Sequence, residues 1–74
     1  MGAEPKFLEI KEVNGYFWIR RVYVPKQYEN TVLRKPYDPI IEHHIGNVIS
    51  RVNAIKDPSE RKEQLMTQLE EILG

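Results

Sequence analysis

The chain has 74 residues and a mass of 8.8 kDa, is 41% hydrophobic and 30% charged, balances eleven basic against eleven acidic residues, and has no cysteine. That length holds a single domain, residues 1–74, and that composition belongs to a globular chain rather than a disordered one. Zero net charge argues against a strongly polyanion-seeking protein, and the lack of cysteine excludes disulfides and thiolate metal sites.

Phe7 to Val13 reads as a strand, and Asn14-Gly15 after it is the strongest short hairpin signal, because both turn residues must accept positive φ. Tyr16 to Val24 then reads as a long second strand, dense in aromatic and β-branched residues, which Pro25 ends because it cannot donate to a ladder. Lys26 to Asn30 is a polar loop. Thr31 to Lys35 is a short third strand closed by Pro36. Asp38-Pro39 starts a helix, with Asp38 able to accept the free amides of the first turn and Pro39 placed where its missing N–H costs nothing. Ile41, Ile45, Val48, Ile49, Val52 and Ile55 share one stripe of it at helical spacing. Gly46 weakens this helix by about 1 kcal/mol relative to alanine, and a close approach to the sheet would account for it. Asp57-Pro58-Ser59-Glu60 repeats the start signal as a variant capping box. Leu65, Met66, Leu69, Ile72 and Leu73 form a second stripe. The fold class is therefore α+β, ββ(β)αα, with a two- or three-stranded antiparallel sheet over 6–35 and helices over 39–56 and 58–73.

The Asn-Gly turn also fixes a register. If Val13 faces Tyr16, then Lys11 faces Trp18, Ile10 faces Ile19, Glu9 faces Arg20 and Leu8 faces Arg21, and cross-strand partners share a face. One face then holds Leu8, Ile10, Phe17, Ile19 and Tyr23, a core, with Glu12 and Arg21 at its ends. The other holds Phe7, Glu9, Lys11, Val13, Tyr16, Trp18, Arg20 and Val22. This second face interleaves rings with cations, as a nucleic-acid surface does: rings pack on bases or sugars while Lys and Arg meet phosphates. The candidate nucleic-acid-binding residues are Lys11, Tyr16, Trp18 and Arg20, with Arg21, Arg34 and Lys35 flanking. Competing readings are a protein contact, plain core beneath the helices, or a Lys11–Trp18 cation–π pair and a Glu9–Arg20 surface salt bridge. Charge is also segregated. Residues 1–36 carry seven basic against four acidic side chains, and residues 37–74 four against seven. The sheet is basic and the helices acidic, so a neutral total can hide a positive face.

Other chemistry is sparse. His43 and His44 diverge by roughly 100° on a helix and cannot readily chelate one metal. There is no Gly-rich phosphate loop, no HExxH, and no base beside Ser50 or Ser59. Neither an enzyme nor a cofactor, metal or small-molecule substrate is expected. No apolar run approaches the roughly 18–20 residues that cross a bilayer, and Met1 to Lys6 lacks a signal pattern, so the expected compartment is the cytoplasm. Surface scaling gives a folded area of roughly 4,800 Å² against roughly 12,800 Å² unfolded, so about 63% is buried, and such a core is marginal. Self-association is one remedy. The stripe Leu65, Met66, Leu69, Ile72 and Leu73 exceeds what one small sheet covers, which points to a homodimer through the second helix.

The strand order, the aromatic and basic strand residues Trp18, Arg20 and Arg34, and the Tyr37-Asp38-Pro39-Ile40-Ile41-Glu42 junction into a helix are similar to the arm-binding domains of tyrosine-recombinase integrases and to AP2-type domains. The resemblance covers roughly residues 6–56. It implies a sheet that enters the major groove of DNA with a helix packed behind it, and so favours DNA over RNA. The helix from Pro58 to Leu73 is additional to that pattern. Ribbon-helix-helix repressors have similar elements, but they carry one short strand before two helices, and the long hairpin here departs from them.

Overall fold

A computed structural model of the chain describes residues 4–24 and 29–74. Three strands, β1 (Phe7–Val13), β2 (Tyr16–Val22) and β3 (Thr31–Pro36), precede two helices, α1 (Pro39–Asn53) and α2 (Pro58–Leu73). The sheet is antiparallel in the order β2-β1-β3. Since β2 and β3 flank β1 and run parallel to each other, residues 23–30 must connect opposite edges of the sheet. The expected stop at Pro25 and most of the polar loop after it lie outside the described residues.

Asn14 and Gly15 both adopt positive φ, 53° and 82°, so the turn has the hand that matches strand twist. The pairing is the one the turn dictates, from Val13↔Tyr16 to Leu8↔Arg21, and it continues to Phe7↔Val22. On the other side of β1 the ladder runs from Phe7↔Pro36 to Lys11↔Thr31, with a register shift between Ile10 and Lys11. β2 stops two residues short of the expected Val24, and Tyr23 stands 48% exposed instead of joining the core. At the sheet end it has lost its cross-strand neighbour, so nothing draws the ring inward.

Both helices cover one face of the sheet. Ile10, Phe17, Ile45, Val48, Ile49, Val52, Leu65 and Leu69 form the buried core, with Ile19, Leu33, Ile41, Ile55, Ile72 and Leu73 packed around it. Asp38 caps α1 by accepting from the amides of Ile40 at 2.8 Å and Ile41 at 3.3 Å, and Asp57 caps α2 by accepting from Ser59 at 3.2 Å. α1 ends at Asn53, before the expected residue 56. The Ala54 and Ile55 amides tighten onto the carbonyls of Arg51 and Val52, and side-chain bonds described below draw Asn53 and the Ile55 carbonyl away from the helix. Gly46 does not approach the sheet: a methyl group there would meet no atom within 4 Å beyond its own helix.

Candidate nucleic-acid interface

The face of the hairpin away from the helices carries Phe7, Glu9, Lys11 and Val13 on β1 and Tyr16, Trp18, Arg20 and Val22 on β2. Toward the turn it is open. Val13 is 41% exposed, Tyr16 46% and Trp18 62%, so the only tryptophan of the chain presents its ring to solvent, directly opposite the half-exposed Lys11. Toward the other end the face is closed. Val22 and Glu9 are buried, and Phe7 is half-buried beneath the Arg34 guanidinium, which lies 4.3 Å from the ring centroid.

Glu9 departs from the surface salt bridge expected of it. It is fully buried, between Arg20 on β2 and Arg34 on β3, its directly opposed residues. The Arg34 Nε lies 3.2 Å from Glu9 Oε2, a close ion pair rather than an aligned hydrogen bond. A carboxylate removed from water needs such a counter-charge. Arg34 is therefore tied to the protein's own acid in the middle of the outer face, where a flanking phosphate contact was expected. Arg20, a further candidate, is half-buried beside it.

Arg21 and Lys35 lie opposite Leu8, on either side of it, and so belong to the helix-side face. Arg21 donates through Nε to Glu42 Oε2 at 2.6 Å and through Nη2 to Glu42 Oε1 at 3.0 Å, and its guanidinium sits 5.8 Å from the Tyr37 ring centroid. The two-pronged hydrogen bond raises the Arg21 pKa and holds the Glu42 carboxyl below its ordinary value. Of the seven candidates, the exposed end of the outer face thus brings together Lys11, Tyr16 and Trp18. Arg20 and Arg34 sit at the closed end, and Arg21 and Lys35 sit behind the sheet.

Two side chains that sequence reasoning did not single out hold this face in position. Arg61, in the first turn of α2, is almost wholly buried. Its Nη1 donates to the Gly15 carbonyl at 2.6 Å, Nε and Nη2 donate to the Ile55 carbonyl at 3.0 and 2.8 Å, and Nη2 reaches the Lys56 carbonyl at 3.3 Å. The same guanidinium lies 4.2 Å from the Tyr16 ring centroid. One arginine therefore ties the hairpin tip to the corner between the helices and orients the first ring of the exposed face. Asn53, at the end of α1, accepts from the Phe17 amide at 3.0 Å and donates to the Phe17 carbonyl at 2.9 Å. It does for the outer edge of β2 what a neighbouring strand would do.

The expected association stripe is largely consumed within the chain. Leu65 and Leu69 are buried in the core, Ile72 and Leu73 pack against it, and Met66 alone of the five is exposed, at 47%. The reason is that α2 lies over the β3 side of the sheet. A shallow hollow of about 360 Å³ remains there, lined by Leu33, Met66, Leu69, Glu70, Leu73 and Gly74. His43 and His44 are exposed, with ring centroids 5.9 Å apart and edge to face. Among the described residues no group of three His, Cys, Asp or Glu side chains could hold a metal ion. No helix of the described residues is long and apolar enough to cross a membrane. In comparisons with known proteins, the chain matches no family model, no curated protein and no solved structure.

Proposed function

We propose that the domain binds nucleic acid, DNA in preference to RNA, as a single strand laid across the turn end of the hairpin's outer face. The observation that carries this reading is the 62% exposure of Trp18 on a face the helices leave uncovered, opposite a lysine and beside Tyr16 in the same strand. Burying so large a ring would stabilise the fold, so leaving it in water points to a contact made with something else. Alternate residues of a strand point the same way, which sets Tyr16 and Trp18 as successive platforms along an extended chain. Bases stack on such platforms whatever their sequence. Lys11 meets a phosphate, and Tyr16 offers one ring face because Arg61 occupies the other.

Specific observations favour a second reading, a protein contact through the same rings. Arg34 and Arg21 are committed to Glu9 and Glu42, which leaves a weakly charged, aromatic patch with Val13 at its rim. Salt dependence separates the two readings. For a single strand, each phosphate neutralised lowers log affinity by about 0.7 per log unit of salt. With one or two cations engaged, the slope is roughly −0.7 to −1.4. Anisotropy of labelled single-stranded DNA, single-stranded RNA and duplex DNA, titrated with protein at several salt concentrations, measures it. Trp18→Ala weakens single-strand binding by about 1–3 kcal/mol, and Lys11→Ala flattens the slope by about 0.7. Absence of binding to all three probes at about 50 mM salt, where electrostatic contacts are strong, leaves the protein contact standing.

A further inference from the structure

A hollow of about 660 Å³ lies at the turn end of the sheet, between the hairpin tip and α2. Val13, Val32 and Met66 give it apolar walls, and Glu12 and Lys62 bring a carboxylate and an ammonium to it. The Asn14-Gly15 turn is part of its lining, and Val13 and that turn are also where the open end of the outer face stops. The hollow and the exposed rings are therefore neighbours around one edge. Its two sides are tied to each other. Arg61, next to Lys62 in α2, donates to the Gly15 carbonyl at 2.6 Å, so the hairpin tip and the helix keep their separation.

Apolar walls with a few polar groups suit a flat ligand with a polar edge, and a nucleobase is such a ligand. The polar groups say which base. Glu12 Oε1 and Lys62 Nζ stand 3.6 Å apart, and solvent reaches both side chains. That is a loose surface pair rather than an aligned hydrogen bond, and it is worth little to the fold. A carboxylate offers two acceptor oxygens and an ammonium only donors. Side by side they present acceptor, acceptor, donor. The Watson–Crick edge of guanine presents the complement: the N2 amino and N1–H donors, then the O6 acceptor. Thymine has a single donor, at N3, between two carbonyls. Adenine and cytosine each have an exocyclic amino group beside a ring-nitrogen acceptor. Guanine alone satisfies all three positions.

We propose that this hollow takes one guanine base of the bound single strand. The proposal rests on a strand crossing the outer face as argued above. Residues on one face of a β-strand recur roughly every 7 Å, so the step from Trp18 to Tyr16, taken once more, carries the nucleic acid past the turn. The next base leaves the row of rings and turns in behind the tip, between the apolar walls. There Glu12 accepts from N1–H and the N2 amino group, and Lys62 donates to O6. Stacking on Tyr16 and Trp18 is indifferent to base identity, so the base preference of the domain comes from the hollow. A strand without guanine ends its contacts at the tip and leaves α2 untouched.

The test compares a short labelled oligothymidine with the same strand carrying a single internal deoxyguanosine, each titrated with the intact chain and followed by anisotropy. The guanine strand binds about tenfold tighter, the worth of one additional charge-assisted hydrogen bond. Deoxyinosine, which lacks only the N2 amino group, falls back to the thymidine value. Glu12→Gln, whose fold circular dichroism checks, brings the ratio of guanine-strand to thymidine-strand affinity close to one, because an amide has a single acceptor oxygen and turns donors toward donors. Equal binding of the guanine and thymidine strands overturns the proposal and leaves the outer-face reading intact. A guanine preference that survives in deoxyinosine or in Glu12→Gln also overturns it, since that base is read elsewhere. Absence of binding by every strand at about 50 mM salt removes the outer-face reading instead. Guanosine monophosphate, titrated by amide NMR, then tests the hollow alone: saturable shifts at Asn30, Val32 and Met66, which line it, sustain a guanine site, and their absence overturns it.

Discussion

Replacing Arg61 by alanine tests how the hairpin and the helices are held together. The substitution removes the guanidinium donors to the Ile55, Lys56 and Gly15 carbonyls and the cation beside Tyr16. Hydrogen bonds from a charged donor contribute about 1.5–3 kcal/mol each where water cannot substitute. Lys56 is exposed, so its carbonyl rehydrates. The doubly bonded Ile55 carbonyl and the Gly15 tie carry the cost, for a total of about 2–4 kcal/mol. A core of this size supplies roughly 3–5 kcal/mol, so Arg61→Ala brings the domain close to its unfolding midpoint. Urea denaturation followed by far-ultraviolet circular dichroism is the assay, because the exposed Trp18 ring changes environment too little on unfolding to report it. The melting temperature falls by at least about 8 °C, at about 4–8 °C per kcal/mol for a chain this short. Arg61→Lys keeps a charge but loses the fork that grips two carbonyls at once, and falls in between. If Arg61→Ala lies within about 0.5 kcal/mol of wild type, the range of ordinary surface changes, the clamp is not what joins the two layers.

Gly46→Ala, at a helical position with open space beside it, raises stability by about 0.8–1 kcal/mol in dilute protein, measured by the same denaturation. Arg34→Ala takes the ion-paired arginine from the buried Glu9 carboxylate and leaves it only the neighbouring Arg20, at a cost of up to about 3 kcal/mol, whereas the double change Glu9→Leu with Arg34→Met is closer to neutral, because a buried ion pair replaced by apolar groups loses its desolvation penalty. Arg21 holds the Glu42 carboxyl below its ordinary value, so the folded state binds that proton less readily than the unfolded chain. The resulting stability is fully present above the ordinary carboxylate range and is lost as pH falls through it to the depressed folded value. Glu42→Gln makes the acid limb of a thermal-melt series shallower, and the effect is modest because solvent reaches the pair through the half-exposed Arg21 side chain.

The sequence was legible where local chemistry is compulsory. Asn14-Gly15 admits one hairpin register, Asp38-Pro39 and Asp57-Pro58 admit helix starts, and the structure has all three. Strand order was hidden because β3 pairs with β1 rather than with β2, its neighbour in the chain. That choice depends on which edge the helices leave available, a tertiary matter with no local signature. The same applies to the cations. Arg34 reads as a flanking phosphate contact until β3 is placed beside β1, and then Glu9 lies directly opposite it. Arg61 did leave a signal, since it stands four residues before Leu65 and eight before Leu69 on the apolar stripe of α2, where a charge has no reason to be unless a partner awaits it. Asn53 left none, because a polar residue at a helix end is ordinary. On the site itself, the alternation of β2 correctly set Tyr16 and Trp18 together on the outer face. It did not reveal that the far end of that face is closed, nor that Arg21 and Lys35 lie behind the sheet.

The central claim, that the turn end of the outer face is a nucleic-acid-binding surface, is tested most directly by two-dimensional amide NMR of the labelled protein titrated with a short single-stranded DNA of thymidines. Shifts should concentrate at Lys11, Val13, Tyr16 and Trp18, including the indole N–H, while Ile45, Val48 and the exposed side of α2 stay still. Perturbations gathered instead around Leu33, Met66 and Leu73, or no perturbation at millimolar oligonucleotide, a concentration at which even about −4 kcal/mol of binding is detected, would contradict it.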